Sequence, residues 1–237
     1  MKRAIKSSVP HPEAVPAPEP AAESGPDPRQ ALLQTVRALT MVMDGGDPFT
    51  RGRTLRISRY AVRVAREMGA TASELIGIEL GALLQDLGRT ALLNDVVTSP
   101  RALDAGERAI VQTHPTIGYD MLKDIPGLEE AAEIVWKHHE RPDGKGYPRA
   151  LGPERIPLGS RVVMVCAAYD AMTEDRPYRR GLAPRAACDE LRRHAGTQFF
   201  PDVVECFVTL HDNGKLWEQF TKEEMELYVR RGDLAAA

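Results

Sequence analysis

Cysteine is scarce in this chain: Cys166, Cys188 and Cys206 are too few and too scattered for a disulfide framework or a thiolate zinc site. Aromatic residues make up only 5% of the 237 positions, so the core must be built from Leu, Val, Ile and Ala, which favours helices over a sandwich or barrel. No run approaches the roughly 18 apolar residues of a membrane span. The basic start Met1-Lys2-Arg3 is not followed by the apolar stretch of a signal peptide. An excess of positive charge is missing too; the formal charge is −3, which argues against a dedicated DNA or RNA binder. These absences predict a soluble protein of a reducing, cytoplasmic compartment. What is present, 43% hydrophobic and 27% charged residues, suffices for one sizeable domain with a tail.

Residues 1–29 stand apart as a Pro/Ala-rich leader with prolines at 10, 12, 16, 18, 20, 26 and 28. Such a segment has too little apolar surface to offset its ordering entropy, and its prolines block helix and ladder alike, so disorder is expected. It is either an inert leader or a partner-binding segment. From Gln30 the pattern turns helical. Ile57, Ala61, Val64 and Met68 recur at offsets of four, three and four. Thr71-Ala-Ser-Glu74 has capping-box spacing, and it opens a stripe of Ile76, Leu80, Leu83 and Leu87 that Gly88 should stop. Asp104 through Glu107 repeats an acidic helix start. Further helices fit 128–139, 158–172, 187–193 and 203–210. No period-two alternation persists long enough for a sheet. The expectation is an all-α domain over 30–212, with seven to nine helices around one core. Residues 213–237 should then form a peripheral helix and tail.

Two of the six histidines are adjacent, His138-His139, and a string rich in turn residues follows them: Glu140-Arg-Pro-Asp143-Gly144-Lys145-Gly146-Tyr147-Pro148. Adjacent residues on a helix point about 100° apart, so both rings reach one site only near a helix end or in a cleft. Pro142 and Pro148 end the helix there. Imidazoles so placed suit a divalent transition metal; the alternative is a pair of ordinary surface or hydrogen-bonded histidines. His11, His194 and His211 have no ligand company, and Trp136 reads as a packing residue.

The extended string His138 to Pro148 resembles the signature of the HD-GYP family, helical metal-dependent phosphodiesterases acting on cyclic di-GMP. The resemblance continues in order through Asp47 to Gly52, Gln85-Asp86-Leu-Gly88-Arg89, His114-Pro-Thr-Ile-Gly118, Ile156-Pro157, Tyr169 to Thr173, and Arg176-Pro-Tyr-Arg179, spanning roughly 30–212. It implies an HD-type helical bundle. It also implies two metal-ligand sets that share one aspartate, Asp86 here. The second set is complete in Asp86, His114, His138 and His139, and implies one Fe, Mn or Zn ion. In the first set, Arg53, Gln85 and Ala167 stand where the family has two histidines and an aspartate, so that position is expected to be empty of metal.

A guanidinium carries a fixed charge and cannot ligate a cation. Arg53 therefore either fills the volume of the missing ion and neutralises Asp86, or swings out to solvent. By the same resemblance Arg89, Arg176 and Arg179 are candidate phosphate contacts, Asp170 a candidate acceptor for a guanine edge, and Gly144 to Pro148 a docking loop for a GGDEF-type cyclase. Three readings follow. The chain is a degenerate domain that binds a cyclic dinucleotide, a cyclase-type partner or both, with weak or no hydrolysis; or it is a working single-metal phosphodiesterase; or it is an adaptor that binds neither metal nor nucleotide.

Overall fold

The computed structural model describes residues 28–44, 52–92, 101, 103–175 and 180–217. The proposed leader and nearly all of the proposed tail lie outside these residues. Among them run nine α-helices: α1 Pro28–Asp44, α2 Arg53–Glu67, α3 Ala72–Leu84, α4 Ala105–Val111, α5 His114–Leu122, α6 Glu129–Lys137, α7 Leu158–Thr173, α8 Pro184–Arg193 and α9 Pro201–Asp212. Short 3₁₀ turns follow α3 (Leu87–Ala91), precede α7 (Pro153–Arg155) and follow α9 (Lys215–Trp217). The one bridge outside helices, Ala195 with Phe199, builds no sheet among the described residues. The protein is all-α.

Local sequence explains the helix starts. Thr71 and Glu74 form the reciprocal cap, with the Glu74 amide donating to Thr71 Oγ1 at 3.3 Å and the Thr71 amide to Glu74 Oε2 at 2.8 Å. Asp104 and Glu107 repeat it at 2.9 and 2.8 Å. Pro115, Pro184 and Pro201 sit in the first turns of α5, α8 and α9, where a missing N–H costs nothing.

Two apolar clusters meet along α3 and α6. One joins α2, α7, α8 and α9 through residues such as Ile57, Val163, Tyr169 and Phe207. The other joins α1 and α5 to the opposite sides of α3 and α6 through Leu33, Leu80, Leu83, Leu122 and Val135. Helix α3 is thus apolar on nearly all sides, as a central helix must be. Leu216 is fully buried and the Trp217 ring packs edge-on to Tyr60 at 5.3 Å, so the packed unit extends past residue 212.

The end of α3 differs from the expectation. The helix stops at Leu84, three residues before the end of the apolar stripe, and Leu87 opens a 3₁₀ turn. Gly88 is not its cap. A Cβ there would lie 2.0 Å from the His114 carbonyl oxygen and 2.7 Å from the Gly118 amide nitrogen. Glycine at 88 lets the turn after α3 touch the start of α5, which sets Asp86 beside His114. Further back, Gly81 leaves room for Ile134, whose side chain a Cβ would meet at 2.7 Å, so α3 and α6 run close together and end near one another. Gly88→Ala is expected to lower the unfolding free energy by about 2 to 3 kcal/mol, because the contact is backbone and cannot yield. Urea denaturation measures it; an unchanged midpoint would contradict the close approach.

Candidate metal centre

Each histidine of the site is delivered by a helix end. His114 is the first residue of α5 and His138 caps α6, with His139 next. One ring nitrogen from each of the three lies within 4.8 Å of the other two, and two of the rings, His114 and His138, are fully buried. His114 Nδ1 lies 2.7 Å from the Val111 carbonyl oxygen, and His138 Nδ1 lies 2.7 Å from that of Val135. A carbonyl can only accept, so in both rings Nδ1 carries the proton and Nε2 is left with a bare lone pair. His114 Nε2 and His139 Nε2 are buried without a hydrogen-bond partner among the described residues. Buried polar atoms are seldom left so. The donor set therefore fits a cation, and the outward Nδ1–H bonds are of the kind that orient metal-binding imidazoles.

Asp86 lies at the edge of this cluster, against His114. Its Oδ1 lies 3.6 Å from His114 Nε2, an acceptor facing an acceptor. Burial would raise its pKa, but the guanidinium of Arg89, followed by that of Arg53, holds the carboxyl well below the usual range. Its direct partner is Arg89, Nε to Oδ1 at 2.7 Å, and this arginine is 37% exposed.

The side expected to lack a metal is filled with charge. Arg53 is turned inward, with only 16% of its side chain exposed, so it does not swing out to solvent. Its direct contacts are Asp170 Oδ2 and Glu174 Oε2, each at 3.5 Å, and it influences Asp86 only at longer range. Two carboxylates at the end of α7 outweigh one on the turn after α3, where Arg89 already holds Asp86. Arg56, one turn along α2, donates from Nε to Asp170 Oδ1 at 2.6 Å and from NH2 to Glu174 Oε1 at 3.1 Å. Burial opposes the charge on both arginines, yet Asp170 and Glu174 keep them more firmly protonated than usual. Asp170 is 1% exposed, so a nucleobase would have to displace a guanidinium to reach it.

Gln85 is 2% exposed with Oε1 unpartnered among the described residues, and Ala167 packs half-buried against the core. Arg176 and Arg179 lie outside the described residues. Arg56 and Glu174 were not singled out in the sequence. Arg56 had a signal in its spacing, three residues after Arg53 on the same helix face; Glu174 follows the last residue of α7.

The loop after α6 is pinned rather than free. Glu140 is fully buried and accepts from the amides of Arg149 at 2.7 Å and Leu151 at 2.9 Å. Gly146 is forced, since a Cβ would sit 2.4 Å from the Arg141 nitrogen. Tyr147 stacks on His139 with centroids 4.6 Å apart, and of Gly144 to Pro148 only Lys145 is exposed. Trp136 packs as expected, stacked on Tyr119 at 4.4 Å.

Burial lowers the pKa of all three histidines, that of His138 from 6.5 to about 3, with neighbouring imidazoles adding to the effect at His138 and His139. The unfolded chain takes up protons below pH 6.5 or so, where the folded one does not, so acid favours unfolding. Stability of the metal-free protein should fall as the pH drops below about 6.5, by up to about 1.4 kcal/mol per pH unit for each histidine, the His138 contribution levelling near pH 3. Urea midpoints at pH 7.5, 6.5 and 5.5 test this; a flat profile would mean the rings are not buried neutral.

No described helix is long and apolar enough to cross a membrane. Residues 37–203 match the HD domain family. The chain is 32% identical over 204 residues to a cyclic di-GMP phosphodiesterase of Thermotoga maritima, covering 85% of this chain and 53% of that protein. It is 35% identical over 182 residues to a cyclic di-GMP phosphodiesterase response regulator of Xanthomonas campestris, covering 76% and 47%. It spans about half the length of these relatives. In fold it resembles a cyclic GMP-AMP-specific phosphodiesterase of V. cholerae, with a TM-score of 0.61 at 19% identity over 84% of this chain and 53% of that one. With these matches and a helical bundle that gathers His114, His138 and His139 at one point, the chain belongs to the HD domain family, in its HD-GYP branch.

Proposed function

We propose that this domain binds one divalent transition metal through His114, His138, His139 and Asp86, and engages a cyclic dinucleotide with weak or no hydrolysis, acting as a regulator in cyclic dinucleotide signalling. One observation carries this reading. One nitrogen from each of His114, His138 and His139 lies within 4.8 Å of the other two, with Nε2 of His114 and His138 unprotonated, while the positions that the family resemblance assigns to the other ligand set hold Arg53, Gln85 and Ala167, and Arg53 is held by Asp170 and Glu174.

A bound divalent ion supplies charge stabilisation and acidifies a water for attack on phosphorus. The residues on the Arg53 side supply only part of that. A guanidinium shares negative charge but takes up no proton and ligates nothing. A glutamine amide is no base, and an alanine offers no donor or acceptor. Losing the partner ion is expected to cost several kcal/mol of transition-state stabilisation, and each 1.36 kcal/mol is about tenfold in rate. Arg89 is open enough to meet a phosphate while still holding Asp86. Docking of a GGDEF-type cyclase on the loop after α6 has less support, because only Lys145 of its five residues is exposed.

A single-metal phosphodiesterase is the second reading, favoured by the phosphodiesterase names of relatives more than 30% identical. Protein prepared without added ions should carry at most one equivalent of Fe, Mn or Zn by elemental analysis, lost in His138→Ala. The triple variant Arg53→His, Gln85→His, Ala167→Asp should approach two. No rise would mean the replaced set is misassigned.

Chromatography of the linear dinucleotide product decides between enzyme and regulator. Little or no turnover of cyclic di-GMP alongside retained binding is the expected result. Robust multiple turnover that disappears in His138→Ala would overturn the regulatory reading.

A further inference from the structure

His139 is held differently from its two neighbours. The His114 and His138 rings are each fixed by Nδ1–H donating to a backbone carbonyl, that of Val111 or Val135. His139 has no such bond: neither of its ring nitrogens meets a hydrogen-bond partner among the described residues. It also lies beyond the end of α6, where His138 is already the cap, so the helix does not set its direction. Adjacent helical side chains diverge by about 100°, and a ring left to that rule would point away from His138. Yet one of its nitrogens lies within 4.8 Å of one on each of His114 and His138.

Three rings surround it. His138 is tilted at 44° with centroids 4.1 Å apart, and His114 meets it edge-on at 5.1 Å. The third, Tyr147, lies nearly parallel, 19° off, at 4.6 Å. The Tyr147 hydroxyl makes no hydrogen bond among the described residues, and burial pushes its pKa up. The phenol therefore stays neutral, and what it offers His139 is the face of its ring.

The loop after α6 carries that ring on a backbone that is fixed independently. The Tyr147 amide donates to the His139 carbonyl oxygen at 3.2 Å, and Gly146 passes so close that a Cβ would sit 2.6 Å from the same oxygen. Glu140 pins the far side of the loop through the amides of Arg149 and Leu151, and the Asp143 amide donates to the Thr197 carbonyl at 3.3 Å. None of these bonds uses the Tyr147 side chain, so the platform stands without it. Face-to-face stacking fixes the plane of a ring and leaves its edge free. A ligating imidazole also gives up electron density to its cation, and the face of a phenol favours positive charge.

We propose that Tyr147 is a positioning residue of the metal centre: its ring face sets the plane of His139 and aims one nitrogen at the point where His114 and His138 converge. It does for the third imidazole what the Val111 and Val135 carbonyls do for the other two. This inference rests on the reading of the three histidines as metal ligands, and adds the side chain that orients the one lacking a hydrogen bond.

Titration of the full chain with Co²⁺, followed through its visible ligand-field spectrum, tests it. Tyr147→Leu keeps apolar bulk without a flat face. It should weaken Co²⁺ binding by about tenfold and alter the spectrum at saturation, because His139 then ligates askew. Tyr147→Phe keeps the face, and should return both the spectrum and, to within about twofold, the affinity of the wild-type protein. A wild-type spectrum from saturated Tyr147→Leu would overturn the inference whatever the variant's stability, since a side chain that only supports the fold leaves the ligand field alone. Tyr147→Phe behaving as Tyr147→Leu would overturn it too, because the hydroxyl and not the face would then be responsible. Wild-type protein that binds no Co²⁺ would overturn the metal reading as well.

Discussion

His114 Nε2 and Asp86 Oδ1 face each other at 3.6 Å with no proton between them, since the ring proton is held on Nδ1 by the Val111 carbonyl. Two acceptors at that distance repel; Arg89 offsets the carboxylate at 2.7 Å, and the imidazole nitrogen is left without a donor. The fold imposes the encounter through backbone contact. Gly88 against the start of α5 fixes Asp86 beside His114, and the close run of α3 past α6 at Gly81 brings His138 and His139 to the same point. The same packing buries the rings, which leaves nitrogens of His114 and His139 unpaired and lowers the histidine pKa values.

A second electrostatic unit sits beside the first and is complete in itself. Arg53 and Arg56 from α2 meet Asp170 and Glu174 from α7, two cations against two anions, nearly all out of solvent. Removing one partner of such a buried pair typically costs about 3–5 kcal/mol, because it strands the other charge. The unit therefore ties α2 to α7 as well as supplying fixed positive charge near Asp86. The two halves differ in kind: one is a set of acceptors that calls for a cation, and the other brings its own.

Much of this was legible in the chain before folding. The capping boxes at Thr71 and Asp104, the apolar spacing through α2 and α3, and the string from His138 to Pro148 depend on local geometry alone. The end of α3 was misread because an apolar stripe continues through Leu87 whether the backbone is α-helical or 3₁₀. Gly88 looked like a helix stop, yet its reason is the His114 carbonyl 26 positions away. Arg53 was expected either to fill the missing ion's volume and neutralise Asp86 or to reach solvent; it is turned inward, pairs with Asp170 and Glu174, and acts on Asp86 at longer range.

The sequence by itself determined that the protein is helical, where most helices begin, and which histidines are candidates for one metal site. Helix propensity, capping and residue type act over a few positions, so they can be read along the chain. Only the tertiary structure decided which charge meets which. Coulomb attraction depends on the distance between groups and on the solvent left between them, and neither exists until α2, α3 and α7 have packed. That is why Asp86 belongs to Arg89, and Asp170 to Arg56 and Arg53.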